Sequence, residues 1–169
     1  DGVPLQLVDF PQSLGPGRNA TLAGPAMARD WTSEAPKLLW RRGIGAGWAG
    51  FAVAGTNAVT LEQHGEEEVV TCYHTTRGEP LWRHAYAARY DSPVGGTGPR
   101  TVPLIVDRRV FTVGATGVLN CLDLETGEML WSVNVLADNG APVPAWGFAC
   151  SPLHHAGKII VNPGGTNGN

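Results

Sequence analysis

The feature that most constrains this chain is an internal repeat with an offset of 49 residues. Residues 76–82, Thr-Arg-Gly-Glu-Pro-Leu-Trp, align with residues 125–131, Glu-Thr-Gly-Glu-Met-Leu-Trp, and Cys72 then aligns with Cys121. A repeat of this length is typical of proteins built from stacked supersecondary units. The chain is therefore best interpreted one unit at a time.

Each unit begins with a predicted β-hairpin. Residues 51–61, 103–113 and 152–161 each contain a short apolar run, a polar turn and a second run rich in β-branched residues. In the two full units a second hairpin follows, through turns at residues 75–78 and 124–127. Four short strands in about 40–50 residues favour a propeller blade over a sandwich.

The predicted organisation is one incomplete all-β domain, a partial β-propeller of about two and a half four-stranded antiparallel blades. Its predicted parts are an N-terminal segment (1–36), an outer closing strand (37–44), a blade (48–86), a second blade (100–135) and a partial blade (146–169). The Gly- and Pro-containing linkers 87–99 and 137–144 are expected to be loops.

The repeated glycines and tryptophans are predicted to hold neighbouring blades together. Gly78 and Gly127 stand at tight turns, where glycine accepts a positive φ without steric cost. Trp82 and Trp131 follow four residues later, and Trp40 occupies an isolated copy of the same strand. Because an indole offers a large flat apolar surface, we expect these three side chains to pack between blades rather than to stack a cofactor.

Composition excludes several other classes of protein. Apolar residues make up 43% and charged residues 16%, which argues against disorder and against a coiled coil. The net charge of −3 does not favour a nucleic-acid partner. No apolar run approaches the roughly 18 residues of a transmembrane segment. The three cysteines form no CxxC motif, and we predict that Cys72 and Cys121 are buried free thiols, because equivalent positions in adjacent blades lie too far apart for a disulfide.

These units resemble the PQQ-like (quinoprotein/BamB-like) β-propeller repeat family of secreted bacterial type, whose loose signature is Asp-x-x-Thr-Gly-x-x-x-Trp. Residues 123–131 match it in full, whereas the earlier copy has His74 in place of the Asp and Arg77 in place of the Thr. Residues 9–19 also resemble an N-terminal motif of the secreted members. Rings of this family have seven or eight blades, so we expect the remaining blades to come from a longer chain or from other chains.

The resemblance implies two different functions. The leading hypothesis is a non-catalytic extracytoplasmic scaffold, periplasmic or extracellular and bacterial, that binds a protein partner in a setting such as a membrane-associated complex. The alternative is a fragment of a PQQ-dependent dehydrogenase, which would use PQQ and calcium. The enzymes of the family have an adjacent Cys-Cys pair and a catalytic carboxylate, and this sequence has no Cys-Cys pair. We therefore predict no catalytic, cofactor-binding or metal-binding residue; a glycan-binding propeller is a third option.

Three residues are candidates for a binding surface. Trp48 and Trp146 open the first and third predicted inner strands, and Arg100 precedes the second. The starts of inner strands lie near an axial face of a propeller, where binding usually occurs. The competing interpretation is that the aromatic side chains fill the central channel, because aromatic residues pack readily.

Overall fold

The computed structural model describes residues 8–24 and 27–166 of the chain. It contains two four-stranded antiparallel sheets, a two-stranded hairpin equivalent to half a sheet, and a small hairpin in the linker between the first two. This is a partial β-propeller, as the repeat predicted. Of the predicted parts 1–36 and 146–169, residues 1–7, 25–26 and 167–169 lie outside the described residues.

The first blade is a meander in which each strand pairs with the next one along the chain. Its strands are β1 (Ala52–Ala54), β2 (Asn57–His64), β3 (Glu67–His74) and β4 (Pro80–Ala87). The β1–β2 and β2–β3 turns contain Gly55 and Gly65, both at positive φ. Such glycines allow the tight turns that set the register of a hairpin.

The second blade repeats this arrangement after a linker. The linker, predicted to be a loop, contains the short strands β5 (Asp91–Ser92) and β6 (Gly96–Thr97). The blade consists of β7 (Leu104–Val106), β8 (Arg109–Val113), β9 (Val118–Asp123) and β10 (Met129–Asn134). Asp107 and Arg108 connect β7 to β8, both at positive φ, as a two-residue hairpin turn requires.

The partial blade is a single hairpin of β11 (Leu153–His155) and β12 (Lys158–Ile160). The preceding linker 137–144, predicted to be a loop, is not entirely one, because its first two residues belong to the one-turn helix α1 (Val135–Asp138). Asn134 caps this helix, because its side-chain oxygen accepts hydrogen bonds from the backbone N–H groups of Leu136 and Ala137.

The predicted outer strand at residues 37–44 has no pairing neighbour in the part of the chain that the structure describes. The structure places no strand there, and the first backbone pairing in this region is an isolated bridge between Ala46 and Gln63. A strand needs a neighbouring strand to pair with, and the described residues provide none at this position. The segment is instead anchored through its side chains, as described below.

The core lies between the sheets rather than within any one of them. One cluster joins the first blade to the second and includes Val59, Leu61, Val70, Trp82 and Leu122. A second cluster joins the second blade to the partial blade and α1 through Phe111, Val113, Leu136 and Phe148. Each fully buried aliphatic side chain contributes about 1.5–3 kcal/mol, so face-to-face stacking is the main source of stability.

The N-terminal segment runs along the inner edge strands and contacts all three blades. Phe10 forms an antiparallel bridge with Val53 of β1, and the Ile105 N–H of β7 donates to Pro11 O over 2.7 Å. Arg18 Nη1 reaches Pro152 O just before β11 at 3.4 Å. This segment, residues 9–18, therefore covers backbone groups that the inner edges would otherwise expose.

Candidate binding face

Two of the three repeat tryptophans, Trp40 and Trp82, dock on the glycine of the following turn, whereas Trp131 is 40% exposed. Trp40 packs on Gly78, where an added methyl group would overlap the indole, and its Nε1–H donates to Thr75 O over 2.7 Å. Trp82 packs on Gly127, where an added methyl would lie 2.5 Å from Cε3, and its Nε1–H donates to Leu124 O over 2.8 Å. Both glycines adopt positive φ. These two interactions join successive repeat units.

A β-bulge directs each strand tryptophan to its position. In the first blade Trp82 lies opposite Cys72, and Leu81 is skipped in the register. In the second blade Trp131 lies opposite Cys121, and Leu130 is skipped in the same way. A bulge re-aims the side chain that follows it. The register thus explains why the cysteine and the tryptophan recur at the same offset.

The turn that receives a tryptophan is organised by one acceptor side chain. In the second blade Asp123 Oδ1 accepts from the N–H groups of Glu125 and Thr126, each over 2.9 Å. In the first blade His74 Nδ1 accepts from the Thr76 N–H over 3.3 Å. The imidazole therefore takes the place of the carboxylate, which explains how the first copy tolerates its departure from the repeat signature.

The structure brings the three candidate binding residues together at one end of the blades. Trp48 precedes β1, Arg100 precedes β7 and Trp146 precedes β11, and all three line one open cavity of about 510 Å³. The indoles are 71% and 62% exposed, so they do not fill a closed channel. The turn between β5 and β6, with Pro93 and Val94, forms the rest of the wall.

Arg100 supports this face from behind rather than projecting from it. Its Nη1 donates to Gly95 O over 2.8 Å and its Nη2 donates to Gly98 O over 3.0 Å. The guanidinium carbon lies 4.8 Å from the centre of the Tyr90 ring, a cation–π contact. Tyr90 in turn donates its hydroxyl to Ala145 O over 2.5 Å, which holds the loop that carries Trp146.

Two buried glutamates were missed by the sequence reasoning. Glu62 accepts from Tyr73 Oη over 2.5 Å and from the Gly45 N–H over 2.9 Å, and it also contacts His64 Nε2. Burial opposes ionisation of Glu62, but these hydrogen bonds outweigh it, so the pKa lies below its ordinary value. Glu62 therefore anchors the segment that carries Trp40 to the first blade.

Glu68 connects the first blade to the second. It accepts from Tyr86 Oη over 2.6 Å and from the Ala115 N–H of the second blade over 2.9 Å. Burial is the largest effect and raises the pKa of Glu68, against these hydrogen bonds and the charge of Arg100. Residues 59–62 of β2 alternate apolar and polar side chains, which equally fits a strand with a solvated face, and β3 has no such alternation, so the sequence carried no signal for Glu68.

The three cysteines are free thiols that differ in exposure. Cys72 and Cys121 are buried free thiols, as predicted, and Cys150 is partly exposed. No cluster of three or more His, Cys, Asp or Glu side chains suited to a metal ion occurs in residues 8–24 and 27–166. The same residues contain no helix that is long and apolar enough to cross a membrane.

Comparison with known proteins identifies the architecture. The family model described as outer membrane protein assembly factor BamB matches residues 30–167, well over half of the chain. None of the curated proteins matches significantly. Among solved structures, BamB from Moraxella catarrhalis is 19% identical with a TM-score of 0.49, over 66% of this chain and 32% of that one.

Two dehydrogenase structures are also similar. A quinohemoprotein alcohol dehydrogenase from Comamonas testosteroni is 22% identical, with a TM-score of 0.51, over 73% of this chain and 18% of that one. A europium-containing methanol dehydrogenase is 19% identical, with a TM-score of 0.55, over 74% of this chain and 22% of that one. The chain thus spans less than a third of each dehydrogenase, and at these identities the likeness shows the fold.

Proposed function

The chain belongs to the BamB-like family of PQQ-repeat propellers, and on this premise we propose that it is a non-catalytic extracytoplasmic scaffold that binds a protein partner through the face formed by Trp48 and Trp146. The observation that carries the proposal is the convergence of Trp48, Arg100 and Trp146, from three successive repeat units, on one open cavity. The extracytoplasmic location rests on the family description, which names an outer membrane assembly factor.

The chemistry of this face suits a protein better than a charged small molecule. Trp48 and Trp146 offer two exposed indoles, and tryptophan is enriched among the residues that dominate protein–protein binding energy. The wall between them is made of Pro93, Val94 and two glycines, which carry no charge. The two terminal nitrogens of Arg100 donate to backbone carbonyls, which reduces their capacity to clamp a carboxylate.

The role of Arg100 follows from the same contacts. It holds the β5–β6 turn against the first indole, while Tyr90 holds the loop of the second. A face that is already ordered loses less entropy when a partner binds. We therefore assign Arg100 a positioning role and Trp48 and Trp146 the direct contacts.

The test is site-specific cross-linking of the full-length protein in its cell envelope, followed by identification of the captured protein by mass spectrometry. The Trp48→Ala/Trp146→Ala variant is compared with Trp31→Ala, which removes another exposed indole, 58% exposed, outside this cavity. We expect one identified partner with the wild type and with Trp31→Ala, and loss of that partner with the double variant.

Three results would overturn the proposal. Capture that is unaffected by the double variant would show that the partner binds elsewhere. Stoichiometric PQQ with a calcium-dependent quinone absorption band would instead favour the dehydrogenase alternative. Fractionation that places the protein in the cytoplasm would contradict the extracytoplasmic location.

A further inference from the structure

The two indoles of the binding face, which we call the Trp48–Trp146 face, differ from three other tryptophans in their hydrogen bonds. The indole N–H groups of Trp31, Trp40 and Trp82 donate to backbone carbonyls over 2.8, 2.7 and 2.8 Å. In the part of the chain that the structure describes, the indole N–H groups of Trp48 and Trp146 have no such acceptor. The face therefore presents two free donors, each at the edge of an exposed aromatic ring.

The rest of the cavity lining has no side chain that accepts a hydrogen bond. Besides the two indoles, the lining consists of one proline, one valine, two glycines and Arg100. Indole and guanidinium groups only donate, and the other side chains are apolar. The carbonyl of Gly95, one of the two glycines, already accepts from Arg100 Nη1 over 2.8 Å. An occupant that matches this lining presents acceptors and apolar surface but few donors.

A proline-rich segment has this combination of groups. Proline has no backbone N–H, and the carbonyls of a polyproline II helix are free because this helix has no internal hydrogen bonds. An α-helix uses its carbonyls internally, so its docking would bury the two indole N–H groups without partners. An extended segment of other residues has N–H donors, and a sugar has hydroxyl donors, for which this lining offers no acceptor side chain.

We propose that the Trp48–Trp146 face binds a proline-rich segment of the partner in the polyproline II conformation. The pyrrolidine rings would pack on the two indoles, and backbone carbonyls of the segment would accept from the indole N–H groups. Aromatic-lined surfaces suit such segments, because a polyproline II helix is already ordered before it binds. This inference rests on the function proposed for the face and specifies the chemistry of the partner.

The two tryptophans are held by the same linker, which suits a stiff ligand. The backbone N–H of Trp48 donates to Pro99 O over 2.7 Å. The carbonyl of Ala145, next to Trp146, accepts from Ser92 Oγ in β5 over 3.0 Å. The linker therefore connects the segments that carry the two indoles. A receptor and a ligand that are both ordered in advance lose less entropy on binding.

The experiment titrates the full-length protein with decaproline, with a glycine–serine peptide of equal length and with chitohexaose. The NMR signals of the indole N–H groups are assigned through single Trp→Phe variants. We expect decaproline to shift the signals of Trp48 and Trp146 saturably and to leave that of Trp31 in place. We expect the glycine–serine peptide and chitohexaose to bind at least about tenfold more weakly.

Two variants separate the hydrogen bond from the aromatic contact. Trp146→Phe keeps an aromatic ring but removes the N–H, so decaproline should bind about two- to tenfold more weakly. Trp31→Phe is the matched control outside the cavity and should leave binding unchanged. The double variant Trp48→Ala/Trp146→Ala should abolish the binding. Thermal unfolding checks that each variant is folded.

Four outcomes would overturn the inference. These are no binding of decaproline, equal binding of decaproline and the glycine–serine peptide, undiminished binding to Trp146→Phe, and binding of chitohexaose at least as tight as that of decaproline. The last result would assign the face to a glycan. Cross-linking in the cell envelope tests the proposed function separately. A partner captured through both tryptophans, without binding of decaproline, would refute only the proline-rich segment.

Discussion

The sharpest test of the docking between repeat units is the substitution Gly127→Ala. Gly127 has a φ of +73°, and a methyl group at this position would lie 2.5 Å from Trp82 Cε3 and 2.6 Å from Cδ2. Gly157 has the same φ of +73° but no atom within 4 Å of the equivalent position. The pair therefore separates the steric effect of the indole from the backbone strain that both variants share.

The expected magnitudes follow from these two contributions. An L-residue in the left-handed region costs about 1–2 kcal/mol, so Gly157→Ala should lower the free energy of unfolding by that amount. Gly127→Ala adds an overpacking cost of about 1–3 kcal/mol, because the buried indole must move away from its hydrogen bond to Leu124 O. We expect a total loss of about 2–5 kcal/mol.

Urea unfolding, followed by near-UV circular dichroism of the tryptophans, measures both free energies under the same conditions. Gly65→Ala, at a φ of +58° and again without an atom within 4 Å, is a second control within the first blade. Equal losses for Gly127→Ala and Gly157→Ala would refute the reasoning, since the indole contact would then contribute nothing beyond the strain.

Three further predictions concern buried titratable groups. Glu62→Gln should reduce stability at neutral pH but not at low pH, because the pKa of Glu62 is lowered and its contribution is lost as pH falls through that value; urea midpoints between pH 3 and 7 measure this. Glu68→Gln should become more stable relative to the wild type as pH rises from 4 to 7, which thermal melts measure. The pKa of Glu68 is raised, so the folded wild type loses stability when this carboxyl ionises. Burial raises the pKa of Cys72 to about 12, so this thiol should resist alkylation at pH 8 until the protein unfolds. The partly exposed Cys150 should react first, and peptide mapping measures the order.

Each of these three has a result that contradicts it. Parallel pH profiles for the wild type and Glu62→Gln would mean that the hydrogen bonds from Gly45 and Tyr73 do not favour the carboxylate. A constant difference between wild type and Glu68→Gln across the pH range would show that burial of Glu68 leaves its ionisation unchanged. Alkylation of Cys72 before Cys150 in the folded protein would place that thiol at an accessible surface.

Local patterns were sufficient to predict the blades. Short runs rich in apolar and β-branched residues, separated by polar turns, predicted the strands β2, β3, β8 and β9, because such runs favour β-hairpins. The glycine turns were predictable for the same reason, because positive φ is a property of a single residue. The offset between the repeats then identified equivalent positions, including the cysteine that lies opposite each tryptophan.

Side-chain environments across blades were not predictable in this way. Glu62 and Thr60 alternate with Val59 and Leu61 along β2, a pattern that normally indicates one solvated face, yet all four side chains are buried. Burial of the polar face depends on the segment around Gly45, whose N–H donates to Glu62. The residues just before it, 37–44, were predicted to be an outer strand because of their Leu-Leu-Trp sequence, but they have no pairing neighbour in the described residues.

The binding face also combines features that the sequence determines with features that only the tertiary structure determines. The sequence by itself determined that Trp48, Arg100 and Trp146 begin successive inner strands, because their positions follow from the repeat. Only the tertiary structure decided that the two indoles are exposed around one cavity while the guanidinium is turned inward to the carbonyls of Gly95 and Gly98. The periodicity of a chain fixes which residues share a strand, but contacts between distant segments set the partner and the exposure of each side chain.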